Sequence, residues 1–195
     1  MPTRPFSVLF VCTGNICRSA MAERVLAARV AAAGGGVSVR SAGTRAVVGR
    51  GISSQTRPLV RANGGDTEGF VARQLDERML RDADLILGMT AEHCERAASL
   101  EPSAFARIFS LMEFGRAVAE PAQPGSAADG DRWQRLVASA VQRRRAGDLR
   151  PTADDDVADP YGRSDAAFAA MATRVVPVID LLAGVGRGAI STTWR

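Results

Sequence analysis

The chain has 195 residues, 46% of them hydrophobic and 24% charged, which suits one α/β domain with a single substantial core. Its net charge of +4 rests entirely on arginine, for the 25 basic residues include no lysine, and with arginines scattered and aromatics at 5% a nucleic-acid partner is not expected. No apolar run reaches the roughly 18 residues of a membrane span, no signal-peptide pattern leads into the first strand, and three cysteines fall short of a disulfide framework, so a cytoplasmic chain is expected.

Phe6 to Val11 is a β-branched and aromatic run that predicts a buried strand. Ala20 to Ala32 has helix-forming composition, with Met21, Val25, Ala28 and Ala32 on one stripe. Between them lies Cys12-Thr13-Gly14-Asn15-Ile16-Cys17-Arg18-Ser19. Thr13-Gly14-Asn15 supplies residues suited to φ > 0, so that successive backbone N–H groups turn inward as an anion nest, to which the next helix adds its positive dipole end. A cysteine at the mouth of such a nest, beside a cation, is expected to act as a thiolate. Arg18 returns to the same cavity with a planar fork matched to two phosphate oxygens. The spacing Cys-x5-Arg is therefore coherent for phosphoryl transfer to sulfur, with Cys12 attacking in line while loop amides and Arg18 hold the equatorial oxygens. Ser19 is placed to give its hydroxyl to the sulfur or to cap the helix. The bland alternative is a buried cysteine and a surface arginine at chance spacing.

This loop, together with later segments in the same order, resembles the signature of the low-molecular-weight protein tyrosine phosphatases. The resemblance covers roughly residues 6–118 and 157–183. It implies a four-stranded parallel sheet with helices on both faces and a metal-free cysteine-dependent mechanism with no cofactor. It also implies that Cys17 pairs with Cys12 on oxidation in some members; the plainer reading makes Cys17 an apolar filler beneath the loop.

Val37 to Thr44 predicts a second strand that completes a right-handed βαβ unit, and the resemblance assigns its Ser41 to supporting the loop through Asn15. Arg45 to Ile52 is the region that forms a cleft wall in the family. Members often carry an aromatic residue there, whereas this chain has only Val47, Val48 and Ile52, so a shallower wall is expected. Ser53 to Asn63 predicts a helix capped by Ser53 or Ser54 and ended by Asn63-Gly64-Gly65. Phe70 stands where the family commonly has a histidine of the network under the loop, and Thr90 where it often has aspartate.

Asp84 to Met89 predicts a central parallel strand buried on both faces. Thr90 caps a helix running to about Ser99 that contains His93, the only histidine, and Cys94, read as a plain helix residue. With one histidine and no cluster at ligand spacing, neither a metal site nor a Cys–His dyad is expected. Arg107 to Arg116 reads as a short last strand entering a helix. A linker from Pro121 to Gly130 follows, then an amphipathic helix from Asp131 to Ala146 with Trp133, Leu136, Val137, Ala140 and Val141 on one stripe. Its end, Arg143-Arg144-Arg145, reads as favourable charge on a solvated face, the alternative being a docking site for acidic partners. The acidic run Asp154-Asp155-Asp156 has no metal-loop spacing. Ser164 to Leu182 predicts a long helix burying Phe168, Met171, Val175, Val178, Ile179 and Leu182 and bent or broken at Pro177.

Expelling a phenolate from phosphorus needs an acid carried on a second loop. By composition Asp159-Pro160 is merely a common turn. By resemblance, Asp159-Pro160-Tyr161 is the general-acid loop, with Asp159 the acid and then the base, and Tyr161 the other cleft wall, stacking on an aromatic substrate. Ile16 points the same way, since phosphoarginine phosphatases of this fold tend to carry threonine there.

The expectation is a single phosphatase domain over residues 1–195, with an insertion at about 119–156 and a loose tail at 184–195. Cys12, Arg18 and Asp159 are the catalytic residues; Thr13, Gly14, Asn15, Ile16, Cys17, Arg18 and Tyr161 bind phosphate or substrate; Ser19 and Ser41 support them. The substrate expected is a phosphotyrosine protein, and the partner implied is a bacterial tyrosine kinase. The competing readings are an arsenate reductase of the same fold, whose disulfide relay lacks a cysteine here, a phosphoarginine phosphatase, and a non-catalytic phosphate-binding module.

Overall fold

A computed structural model describes residues 4–119 and 129–184. Four strands, β1 (Phe6–Cys12), β2 (Val37–Gly43), β3 (Leu85–Gly88) and β4 (Ile108–Ser110), form one parallel sheet in the order β2-β1-β3-β4. Seven helices surround it: α1 (Arg18–Ala32), α2 (Thr56–Ala62), α3 (Glu77–Asp82), α4 (Ala91–Leu100), α5 (Leu111–Ala119), α6 (Gly130–Ala146) and α7 (Asp165–Ala183).

Alternation along β1 divides the core in two. Phe6, Val8, Phe10 and Cys12 face a large apolar cluster shared with α1, α5, α6 and α7, while Leu9 and Val11 face a smaller one with Leu80, Ala97 and Ala104. Both faces being covered, β3 is a continuous buried run, as its composition predicts. Because the chain passes from β1 to β2 on one side and from β2 to β3 on the other, the order reverses between β1 and β3. A crevice at the carboxyl ends of those two strands is where ligands bind in open α/β sheets.

The helices depart from their sequence patterns in instructive ways. In α1 the first two turns are buried nearly all round, Ala22 included, and Leu26 and Val30 further on join Met21 and Val25 in the core, whereas Ala28 is half-buried and Ala32 exposed. The predicted helix at Ser53 begins later, at Thr56, and Ser53 closes the preceding turn by accepting from the Thr56 N–H. Ile52, expected in a cleft wall, is instead core at 1% exposure, leaving Val47 and Val48 on the surface.

Helix α6 is capped by Asp129, whose side chain accepts from the Asp131 and Arg132 amides, and ends on Gly147 at φ 82°. Trp133 is fully buried and stacks on Phe6, with ring centroids 5.8 Å apart. The three terminal arginines do not form one solvated patch. Arg143 donates to the Arg116 and Ala117 carbonyls, Arg144 pairs with Glu113 at 2.8 Å and lies over the Phe109 ring, and Arg145 is exposed. The predicted linker is described only at Asp129 and Gly130, and the predicted tail only at Gly184, so the rest of both lies outside the described residues.

Helix α7 is continuous through Pro177 and buries all six predicted apolar residues against α1 and α5. At 19 residues and a mean hydropathy of 1.7 it is long and apolar enough to cross a membrane by length and composition, although charged residues interrupt it; here its stripe is part of the core.

Candidate active site

Between β1 and α1 the backbone folds into a cup whose carbonyls face outward. Those of Cys12, Thr13, Gly14 and Ile16 accept from the amides of Thr44, Arg45, Val47 and Ser53, at 2.8 to 3.0 Å. With carbonyls engaged outside, the amides are left for the interior, as in an anion nest. Of the residues expected to take a positive φ, only Asn15 does so, at 54°. Gly14 does not, and a Cβ there would make ordinary contacts with Ile16 and Val47. The position that demands glycine is Gly43, at the end of β2, where a Cβ would run into the Thr13 carbonyl. Helix α1 opens on Cys17 with no side-chain cap and no acidic residue in its first turn, so its leading amides keep their capacity for an anion.

Donors meet at the Cys12 sulfur, which is 2% exposed at residue level: the Asn15 N–H at 3.3 Å and the Ser19 hydroxyl at 2.9 Å. The direction of the second bond follows from its neighbours. Ser41 gives its hydroxyl proton to Glu23 Oε2 at 2.5 Å and accepts from Asn15 Nδ2 at 2.7 Å. Asn15 Nδ2 gives its other proton to Ser19 Oγ at 2.9 Å, and Asn15 Oδ1 accepts from the Arg73 amide, which fixes the orientation of the side-chain amide. Ser19, already an acceptor from Asn15, has its one proton to offer the sulfur. Glu23 is 6% exposed and held by the Arg73 guanidinium at 3.1 Å.

Sequence reasoning identified Ser41, Asn15 and Ser19 but missed Glu23 and Arg73. The available signal was a glutamate four residues after Ser19 on the same helix face. Phe70 takes no part in this network: it is 4% exposed in the core beneath the Arg24 guanidinium, so apolar packing occupies the place of the expected histidine.

Arg18 and Asp159, 141 residues apart, are joined. Arg18 Nη2 lies 2.5 Å from Asp159 Oδ2, Nη1 donates to the Val157 carbonyl at 3.0 Å, and Nη2 reaches Thr13 Oγ1 at 3.4 Å. Arg18 Nε is buried without a partner, a donor suited to an oxyanion in the cup. The segment carrying Asp159 is tied to the crevice: the Val157 N–H donates to the Met89 carbonyl just beyond β3, and Asp156 accepts from the Ala91 N–H at the start of α4. The acidic run thus has structural partners, with Asp155 pairing with Arg116. Asp159 Oδ1 accepts from the Tyr161 N–H, and the Tyr161 ring stands 66% exposed.

His93, given no role from sequence beyond the exclusion of a metal site and a Cys–His dyad, lies at this site. Its Nε2 is 3.0 Å from Thr13 Oγ1 and its Nδ1 2.7 Å from Thr90 Oγ1. Burial and then the Arg18 charge push its pKa down from 6.5 to about 4, against the opposing pull of Asp159 and Asp156. Cys17 is 4% exposed and donates to Ser53 Oγ at 3.3 Å; burial pushes its thiol up, and all three cysteines are free. Cys94, half-buried on α4 against the smaller core cluster, has its thiol pushed up by desolvation to about 12. Among the described residues no group of three His, Cys, Asp or Glu side chains gathers as a metal site.

Residues 7–132 match the family model of the low molecular weight phosphotyrosine protein phosphatases. The Etp protein-tyrosine-phosphatase of Escherichia coli K12 is 38% identical over 96 residues, which cover 49% of this chain and 62% of that relative's length. A Klebsiella pneumoniae protein named as a putative member is 34% identical over 165 residues, 85% of this chain and 86% of the relative. Three solved structures align over more than nine-tenths of this chain and of their own. They are Erwinia amylovora tyrosine phosphatase AmsI at 25% identity and TM-score 0.67 (94% and 95% covered), the T. tengcongensis low molecular weight tyrosine phosphatase at 30% and 0.66 (91% and 97%), and the YwlE arginine phosphatase of Geobacillus stearothermophilus at 26% and 0.66 (92% and 92%). With the family model spanning more than half of it, the chain belongs to the low molecular weight phosphotyrosine protein phosphatase family.

Proposed function

We propose that this protein hydrolyses phosphotyrosine in proteins through a phosphocysteine at Cys12, with Asp159 as acid and then base. The observation that carries the reading is the contact between Arg18 and Asp159 at the rim of the Cys12 loop, which unites nucleophile, phosphate fork and acid from two distant segments. In the first half the Cys12 sulfur attacks phosphorus. The S–P bond forms as the P–O bond to the phenol breaks, and Asp159 gives its proton to the departing oxygen. Loop amides from Thr13 to Cys17, with Arg18 Nε and Nη2, hold the three equatorial oxygens. In the second half the Asp159 carboxylate takes a proton from water as its oxygen attacks phosphorus, and the S–P electron pair returns to sulfur. Ser19 steadies the sulfur in both states.

Exposed Tyr161, with Val47 and Val48 on the loop tied to Gly14, supplies apolar surface for the phenyl ring of phosphotyrosine. Ile16 favours the same substrate over phosphoarginine. The substrate class is therefore a phosphotyrosine protein, for which a bacterial tyrosine kinase is a fitting partner. Three free thiols suit a reducing, cytoplasmic setting. We read residues 1–195 as a single phosphatase domain in which about 119–156 is an insertion bearing α6. The arsenate-reductase alternative has little to work with, since Cys94, half-buried, has its thiol held protonated.

The test is hydrolysis of phosphotyrosine, phosphoserine and phosphoarginine peptides by the wild-type protein and by Cys12→Ser. Turnover of phosphotyrosine alone, inhibited by vanadate and lost in Cys12→Ser, is the expected result. Preference for phosphoarginine overturns the substrate assignment, and full activity in Cys12→Ser overturns the mechanism.

A further inference from the structure

Arg18 cannot keep all its resting partners during the proposed reaction. Asp159 has to leave Nη2 to meet the leaving oxygen, so the contacts that go on fixing the guanidinium are Val157 O on Nη1 and Thr13 Oγ1 on Nη2. Of these two, the Val157 carbonyl is fixed by a backbone held to Met89. Thr13 Oγ1 sits on a rotatable, half-buried side chain, and its other partner is His93 Nε2 at 3.0 Å.

We propose that His93 is a positioning residue of the phosphate site, holding Thr13 Oγ1 against Arg18 so that the guanidinium keeps its fork turned to the phosphoryl oxygens after Asp159 departs. The inference rests on the functional reading above. The imidazole is built for this part: it is 3% exposed, and its far nitrogen is anchored 2.7 Å from Thr90 Oγ1, which also accepts from the His93 N–H as cap of α4. The ring is thereby held at both ends, and Thr90 takes a role in the site that its place outside the loop conceals.

The charged groups facing the imidazole are Arg18 from α1, Arg45 from the loop after β2, and Asp156 and Asp159 from the acid segment. A neutral ring is the form that sits beside Arg18 without repelling it. An oxyanion in the cup offsets Arg18, so His93 takes up a proton more readily when the loop is filled. As the only histidine in the chain, its ring resonances identify themselves.

The experiment measures inorganic phosphate and vanadate affinity by calorimetry and the His93 ring shifts by NMR, in wild type, His93→Phe, His93→Gln, Thr13→Val and His93→Phe/Thr13→Val. His93→Phe and Thr13→Val should each weaken oxyanion affinity about 5- to 10-fold and raise KM more than they lower kcat. The double variant should be no weaker than the worse single one. His93→Gln, whose amide reaches Thr13, should recover most of the loss. In wild type the ring should titrate below pH 5 when free and at a higher pH when phosphate is bound. Multiplicative losses in the double variant, unchanged affinity in His93→Phe, or a free ring already charged at pH 6.5 would each overturn the inference. Should His93→Phe fail to fold, the Thr13→Val and His93→Gln affinities and the wild-type titration decide it. Because oxyanion affinity is read without turnover, absence of phosphotyrosine hydrolysis would sink the functional reading while leaving the positioning measurement intact.

Discussion

The Asp159 carboxylate rests on the Arg18 guanidinium at 2.5 Å, so the group proposed to hold a phosphoryl anion already holds an anion of the protein's own. On the proposed mechanism an incoming phosphate monoester competes with that carboxylate for Nη2. The Asp159 side chain is 45% exposed and Arg18's 4%, so the carboxylate is the partner free to move.

Asp159→Asn removes both the proton donor and the competing charge. The two effects should separate: kcat on a phosphotyrosine peptide should fall by about 10²–10⁴-fold, while phosphate and vanadate should bind more tightly, by several-fold. Steady-state kinetics and inhibition constants check this, and an unchanged kcat would remove Asp159 from the mechanism.

Ser41→Ala tests the network beneath the sulfur. It takes away the acceptor of Asn15 Nδ2 and the donor to Glu23 Oε2, both buried. Glu23 Oε2 keeps the Arg73 guanidinium, but one Asn15 N–H is left unpaired, at a cost of about 1–3 kcal/mol that denaturant unfolding should detect. With Asn15 held only by the Arg73 amide and Ser19, the hold of Ser19 on Cys12 loosens, and kcat should fall a few-fold at little change in phosphate affinity.

What was legible in the sequence is what repeats locally or is carried by a motif. The Cys12–Ser19 loop, the strand at Leu85–Gly88 and the apolar stripe of α7 follow from periodicity and turn chemistry, whereas Asp159-Pro160 reads by composition as a common turn and is singled out only by the family resemblance. What could not be read is pairing between segments distant in sequence. His93 has no local pattern that distinguishes it from any polar helix residue, and its meaning comes from Thr13, 80 residues earlier. Arg73 likewise carries no local signal, yet its amide and guanidinium hold Asn15 and Glu23. Arg144 looked like surface charge because its partners Glu113 and Phe109 lie on another helix and strand.

The region read as an insertion is tied into the fold through α6, and two substitutions measure how tightly. Trp133→Ala, at a fully buried ring stacked on Phe6, should cost about 3–5 kcal/mol. Arg144→Glu leaves the 3% exposed Glu113 side chain facing a like charge and should destabilise by about 3 kcal/mol. The exposed neighbour Arg145→Glu should stay within about 0.5 kcal/mol. Equal effects of the two arginine reversals in urea unfolding would contradict the pairing described for Arg144.

The depressed pKa of His93 makes stability depend on pH in a direction that can be stated in advance. In the unfolded chain the imidazole binds a proton as pH drops through 6.5, whereas the folded protein resists protonation until about 4. Between those values the unfolded state holds more protons, so stability falls as pH falls, by about 3 kcal/mol in total at the extreme. His93→Gln lacks this term. The difference in unfolding free energy, wild type minus His93→Gln, should be flat above pH 7 and should decline steadily from pH 6.5 towards pH 4. The measurement belongs in buffers free of phosphate and sulfate, since an oxyanion in the loop favours the charged ring and would mask the slope. A difference that stays constant across this range, or rises towards low pH, would mean that the imidazole is not held neutral between Thr13 and Thr90.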